Sequence, residues 1–246
     1  MTADAGATDL ATPRRVLAIG AHPDDVEFGC GATLAKWSAA GAEVHLLVLT
    51  DGSKGTWDAD ADTTALVAQR ATEQRAAADE LGAHEVLHLG IVDGELENDV
   101  ETRERVCAVI RTVRPDVVLG HDPWKRYRLH PDHRRAGDLT IEAIVAARDP
   151  HFFPGRGEPH RPSALLLFEA EVVDHVEDVT GHFEAKIAAL LAHRSQWRST
   201  MGIDETTEDA DERRADFRER IRVQAAGVAS DGAFELGEAF KLVQPL

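Results

Sequence analysis

The chain has 246 residues, 43% of them hydrophobic, enough for one large α/β domain with a sizeable buried core. Its 27 basic and 44 acidic side chains leave a net charge of −17, which argues against nucleic acid and against an anionic membrane surface, since both require a basic footprint. The two cysteines, Cys30 and Cys107, are far apart and form no CxxC pair, so no disulfide framework is expected and a reducing compartment is.

The first fifteen residues lack an apolar run, and no stretch approaches ~18 apolar residues. Neither a secretory signal nor membrane insertion is therefore expected, and the expected location is the cytoplasm. One domain over 1–246 is expected, with 1–14 as a flexible tail. Residues 16–19 read as a strand, and 26–40 as a helix closed by Gly41. A strand over 44–49 leads into the loop "TDGSKGTWDADAD". A helix over 63–81 has Leu66, Arg70, Glu73 and Ala77 three or four apart, with Gly82 after it. Residues 86–89 read as a strand, "GIVDGELEND" as a loop, and 101–113 as a helix. The strand at 117–120 runs into "HDPWKRYRLHPDHRRAG", and 131–147 reads as a helix. Strands over 164–168 and 171–176 follow, then helices over 181–194 and 211–226. Between those helices "MGIDETTEDADERRAD" is polar and acidic, a surface excursion or lid.

Strands alternating with helices imply βαβ units: a Rossmann-like, mostly parallel sheet with helices on both faces. Ligands in such sheets bind outside the carboxyl ends of the strands. Three polar clusters fall there: His22–Asp25, the loop from Thr50, and the segment from His121 to His133.

His22 and Asp25 are three apart, as are His130 and His133, and in each segment a proline follows the first histidine. Proline at a first helical position suits helix entry, and i, i+3 side chains on one turn share a face. Two such turns at neighbouring strand ends bring N, O and N donors together, a ligand set for a catalytic metal with one open position. Without thiolate the set suits Zn2+, Fe2+ or Co2+. Asp24 and His130 are then left beside the metal, as a base for water and an electrophile or acid, while Asp132 is suited to orient one histidine. Each motif alone has a plainer reading, the Asp-Asp pair as a helix cap and the HxxH pair as surface residues. Their joint occurrence at strand ends favours metal-assisted hydrolysis of a carbonyl-type substrate.

"AHPDDVEFGCG" followed by "HPDH" resembles the PIG-L / LmbE-like family of zinc-dependent de-N-acetylases. "RATEQRAAADELG", "DGELEND", "HRSQ" and "EAF" add to the resemblance, which covers most of the chain. It implies a Rossmann-like fold with one zinc and removal of acetyl from an N-acetylglucosamine-type sugar or glycoconjugate. By the resemblance, His22, Asp25 and His133 are the metal ligands, Asp24 is the general base, and His130 stabilises the oxyanion or protonates the amine, with Asp132 orienting it. Arg70 is implied to contact the sugar, His193 approaches the site, and Arg128 faces the substrate if Tyr127 does not. Many members carry a run of glycines where this chain has "GCGA", and Cys30 reads as a small buried residue. The expected partner is a small amino-sugar substrate, and a homo-oligomer is left open. The nearer alternative is a mycothiol-conjugate-type amidase that cleaves a larger acyl group. The distant one is a non-catalytic metal- or sugar-binding module.

Further residues are weaker candidates. The glycines and Ser53 of "TDGSKGTWD" could nest an anion, Trp57 and Trp124 could wall a sugar, and Lys125, Arg126 and Arg128 form a local basic cluster.

Overall fold

The computed structural model describes residues 9–229 and 233–246. In chain order they form β1 (Arg15–Gly20), α1 (Asp25–Ala39), β2 (Glu43–Thr50), α2 (Thr63–Glu80), β3 (Glu85–Ile91), α3 (Val100–Val113), β4 (Val117–His121) and α4 (Pro131–Arg148). Then come β5 (Ala164–Phe168), β6 (His175–Asp178), α5 (Phe183–Ala192), α6 (Ala210–Val228) and β7 (Gly237–Val243). The strands make one sheet in the order β3-β2-β1-β4-β5-β7-β6. The pairs from β3 through β5 are parallel, and β7 runs antiparallel to both β5 and β6.

Strand periodicity explains the two layers around the sheet. Val16 and Ala18 of β1 face one way, into a core shared with α1 and α2 through Leu34, Trp37, Ala77 and Leu81. Leu17 and Ile19 face the other way, against Val106 and Ile110 of α3 and Leu139 and Ile144 of α4. Successive side chains of a strand point to opposite faces, so a continuous apolar run is what a strand covered on both sides requires. A third cluster joins Phe183, Ile187 and Leu190 of α5 to Phe217 and Ile221 of α6, with Trp197, Met201 and Ile203 between them. Asp62 caps α2 by accepting from Thr64 N and Ala65 N, and Asp99 caps α3 by accepting from Thr102 N.

The chain leaves β1 for β2 and β3 on one side, then returns to place β4 and β5 on the other. The reversal opens a crevice between the carboxyl ends of β1 and β4, where an open α/β sheet binds its ligand. The two histidine motifs sit at those two ends.

Three expectations need correction. The tail over 1–14 is anchored in its described part: Asp9 Oδ1 accepts from Lys36 Nζ at 3.0 Å, and Leu10 N donates to Glu177 Oε1 at 2.9 Å. Residues 1–8 lie outside the described residues. The strand expected over 171–176 begins at His175, because Glu171 N is held by Asp122 Oδ2 at 2.7 Å and Val172 and Val173 face solvent. Strand β7 has no counterpart among the expected elements. It carries Glu238 and Lys241 among its apolar residues and takes its place only by pairing between two distant strands.

Candidate active site

After Gly20, Thr50 at the end of β2 ties the chain down, donating to Ala21 O from its N at 2.8 Å and from its Oγ1 at 2.8 Å. His22 N donates to Asp25 Oδ2 at 2.7 Å, closing a tight turn. That turn forces Asp24 to φ 103°, ψ −24°, a left-handed backbone that a side-chain-bearing residue holds at a cost of about 1–3 kcal/mol. Helix α2 supports it from behind. Gln74 Oε1 accepts from Asp24 N at 3.1 Å, and Gln74 Nε2 donates to Glu27 Oε1 at 2.6 Å. Arg70 donates to Pro23 O at 2.5 Å and to Gly52 O at 2.9 Å, with its Nη2 3.5 Å from Asp24 Oδ2.

The other half of the site comes from β4 and α4. His130 caps α4 at its N-terminus and Pro131 occupies the first turn. Gly137 lets α4 press onto the end of β4, since a Cβ there would lie 2.7 Å from His121 O. This close approach carries the first turn of α4 to the first turn of α1.

Three donors converge as a result. His22 Nδ1 is 3.3 Å from Asp25 Oδ2 and 3.2 Å from His133 Nε2, and His133 Nε2 is 3.2 Å from Asp25 Oδ1. Ligands bound tetrahedrally at ~2.0–2.2 Å stand ~3.3 Å apart, so these spacings suit a small divalent cation; among the described residues His22, His130 and His133, Asp25, His121 and His133, and His22, Asp93 and Asp132 form overlapping sets that could hold one. The far sides of these ligands are also furnished. His22 Nε2 lies 3.3 Å from Asp132 Oδ2 and 3.2 Å from Asp93 Oδ1, and Asp132 Oδ2 also accepts from Gly94 N at 2.7 Å. His133 Nδ1 receives Arg128 Nε at 2.8 Å, with Glu169 Oε2 3.6 Å away. His121 Nε2 is 3.3 Å from Asp25 Oδ2 and its Nδ1 is 3.4 Å from Glu169 Oε2. A carboxylate behind a ligating imidazole fixes its tautomer and orientation.

Carboxylates and imidazoles face one another across the cluster, and each shifts its neighbour. Burial alone would lower the basicity of His22, but hydrogen bonds to Asp132, Asp25 and Asp93 outweigh it and push its pKa up to about 12. In the same way burial works against ionised Asp25, yet His133 and His121 hold it well below the usual carboxylate range. Glu169, against its burial, is pulled down to about 2 by His121, His133 and Arg128. Asp24 differs: burial raises it, Arg70 lowers it, the Asp25 charge raises it again, and it stands at about 6. Burial, then the neighbouring His22 and His133, lower His130.

The sequence reading therefore brought together His22, Asp24, Asp25, His130 and His133, all of which line one cavity of about 1070 Å³ with Arg70 and Arg128. Two expectations are corrected. Asp132 turns to His22 and not to His130, whose Nε2 has Asp93 Oδ1 at 4.0 Å instead, because the helical turn points residues 130 and 132 apart. His193 does not line the cavity. It is fully buried behind Asp24, with its Nε2 3.6 Å from Glu27 Oε2, and Glu27 is itself fully buried. Tyr127 is exposed and off the cavity, while Arg128 lines it. The basic cluster is largely spoken for, with Arg126 on Glu171, Arg128 on Glu169 and Lys125 on Ala170 O. Asp93, His121 and Glu169 were not singled out. Each sits just at or beyond the carboxyl end of β3, β4 or β5, a position that could have flagged them.

A doubly covered α/β sheet with a buried His/Asp cluster able to hold a cation at its switch point, and a carboxylate near neutrality beside it, is the arrangement of a metal-dependent hydrolase. The chain belongs to the PIG-L family, described as GlcNAc-PI de-N-acetylase, whose model matches residues 17–144, and it is accordingly a metal-dependent deacetylase. It is 37% identical over 188 residues to a diacetylchitobiose deacetylase of Thermococcus kodakarensis, covering 75% of this chain and 70% of that one. It is 31% identical over 253 residues to a 1D-myo-inositol 2-acetamido-2-deoxy-alpha-D-glucopyranoside deacetylase of Kineococcus radiotolerans, covering 76% and 70%. Among solved structures it resembles an N,N'-diacetylchitobiose deacetylase from Pyrococcus horikoshii in complex with an inhibitor. The TM-score is 0.83 at 30% identity, over 94% of this chain and 84% of that one.

Proposed function

We propose that the protein is a cytoplasmic zinc hydrolase that removes the acetyl group from an N-acetylglucosamine-type sugar or glycoconjugate. The observation that carries this is Asp24, a buried carboxylate near neutral pKa, beside three donors spaced 3.2–3.3 Å apart at the end of a large cavity. His22, Asp25 and His133 would hold the ion, and the N, O, N donor set suits zinc, with Fe2+ or Co2+ as substitutes. The ion supplies Lewis-acid polarisation of the acetamide carbonyl and of water.

The remaining chemistry belongs to side chains. Asp24, mostly ionised at neutral pH, takes a proton from the attacking water and returns it to the departing amine. Burial, which raises its proton affinity, suits this carboxylate to both tasks. His130 faces the cavity and hydrogen-bonds the developing oxyanion, while Asp93 Oδ1, 4.0 Å from its Nε2, lies closer to His22. Asp132 orients His22, Glu169 orients His121, and Arg128 Nε meets His133 Nδ1 with Glu169 close by. Arg70 holds the turn and balances the charge on Asp24, and Arg128 reaches the substrate from the cavity wall. His193 acts through Glu27 and not on substrate.

Metal-loaded protein should release acetate from at least one member of a panel of N-acetylglucosamine, its glycosides, its inositol conjugate and diacetylchitobiose. Protein that holds one metal per chain and releases none would sink the proposal. A larger-acyl amidase predicts preference for N-butyryl or N-hexanoyl sugars over the N-acetyl form, and the same panel with those acyl groups separates the two.

A further inference from the structure

The two histidines that would hold the ion are backed by opposite chemistry. His22 Nε2 has acceptors behind it, Asp132 Oδ2 at 3.3 Å and Asp93 Oδ1 at 3.2 Å, which suits its Nδ1 to meet an ion. His133 Nδ1 has a donor behind it instead, Arg128 Nε at 2.8 Å. A guanidinium carries only donors and does not deprotonate, so at this distance Nδ1 must supply the lone pair. With Nδ1 unprotonated, the ring proton sits on Nε2, the nitrogen turned toward the site. There it has an acceptor in Asp25 Oδ1 at 3.2 Å, and a cation would find no lone pair on that nitrogen.

The two contacts exclude one another. An imidazole with one ring proton offers one lone pair in its plane. Once Nε2 gives it to a cation, Nδ1 carries the proton and faces Arg128 Nε donor against donor. Glu169 is placed to resolve the conflict. Its Oε2 lies 3.6 Å from His133 Nδ1 and its Oε1 lies 3.1 Å from Arg128 Nη2, so it can accept the ring proton and keep the arginine. The Arg128 side chain is 41% exposed on the cavity wall, with room to turn. The proton changes nitrogen within one ring, so His133 gains and loses no charge.

We infer that Arg128 is a positioning residue that opposes metal binding. It holds His133 in the tautomer a cation cannot use, and a cation that binds there releases it to the cavity as Glu169 takes the Nδ1 proton. The inference rests on the reading of His133 as a ligand. A hydrogen bond from a charged donor is strong enough that removing it shifts the affinity about tenfold or more.

The test is Zn2+ affinity of the full-length protein in a competitive chelator titration. Arg128→Met should bind Zn2+ about tenfold or more tightly than wild type, whereas loss of a merely structural arginine would weaken binding. Lys54→Met controls for charge alone, since Lys54 lines the same cavity but pairs with Glu95 at 3.5 Å, and its effect should fall well short of that. In 15N spectra of metal-free wild-type protein, His133 should carry its proton on Nε2, and Zn2+ should move it to Nδ1; His133→Ala assigns the signals. Affinity in Arg128→Met at or below wild type, or no higher than in Lys54→Met, overturns the inference. So does an Nδ1 proton on His133 in the metal-free wild type, a measurement that does not depend on how the arginine variant folds. Wild-type affinity in His133→Ala instead sinks the ligand assignment on which the inference rests.

Discussion

Gln74→Met tests how Asp24 is held. Methionine matches glutamine in length but neither accepts from Asp24 N nor donates to Glu27 Oε1, the two bonds Gln74 makes at 3.1 and 2.6 Å. Gln74 is buried, so water does not readily replace either bond. A buried polar group left unpaired costs about 1–3 kcal/mol, and two are affected. Glu27 Oε2 has no hydrogen bond and only the His193 ring 3.6 Å away, so the loss at Oε1 leaves that carboxylate with this one ionic neighbour. Against this, loss of the Gln74 support lets the His22–Asp25 turn loosen and Asp24 shift from φ 103°, recovering up to about 1–3 kcal/mol of backbone strain. The expected net destabilisation is therefore about 1–3 kcal/mol. The relaxation that limits the stability loss also moves the carboxylate, and a misplacement near 1 Å costs about a hundredfold in rate. The variant should keep its metal and KM while kcat falls about 10–100-fold. Denaturant unfolding, metal analysis and steady-state kinetics measure these quantities. The double variant with Asp24→Asn separates positioning from general damage: Gln74→Met should cost little more rate once Asp24 cannot act. A wild-type kcat in metal-loaded Gln74→Met, or fully additive losses in the double variant, would refute the reasoning.

Other expectations follow from the same geometry. Asp25→Ala and His133→Ala should lose the metal, whereas Asp24→Asn should retain about one ion per chain and lose about 10²–10⁴ in kcat, as read by metal analysis beside acetate release. Because Asp24 must be ionised to accept a proton and stands at about 6, kcat/KM should fall as pH drops through that value. Arg70→Met, which removes the cation beside it, should move this acid limb to higher pH, and an unmoved limb would show that another group sets it. Glu169→Gln should weaken metal binding about 10–100-fold in a competitive chelator titration, since it removes the carboxylate behind His133 and His121. Chelator treatment should abolish acetate release, and Zn2+ added back should restore it.

The sequence alone determined what local chemistry can encode. Apolar runs marked the five parallel strands, closing glycines marked the ends of the first two helices, and the two proline-bearing motifs singled out His22, Asp24, Asp25, His130 and His133. Those features lie within a few residues of one another, so spacing suffices to read them. Tertiary structure decided whatever depends on elements distant in the chain. Asp93, His121 and Glu169 meet the proposed ligands from three different strand ends, and Gln74 reaches Asp24 from α2, contacts with no signature in any one segment. Strand β7 forms because β5 and β6 leave a slot for it, and the charge it buries is tolerated only because Lys186 and the freed N–H groups of a broken α1 meet Glu238 there. Asp132 and His193 show the same limit. Both motifs were legible, but which neighbour each side chain faces is set by how helices press on the sheet, and that is a property of packing rather than of spacing.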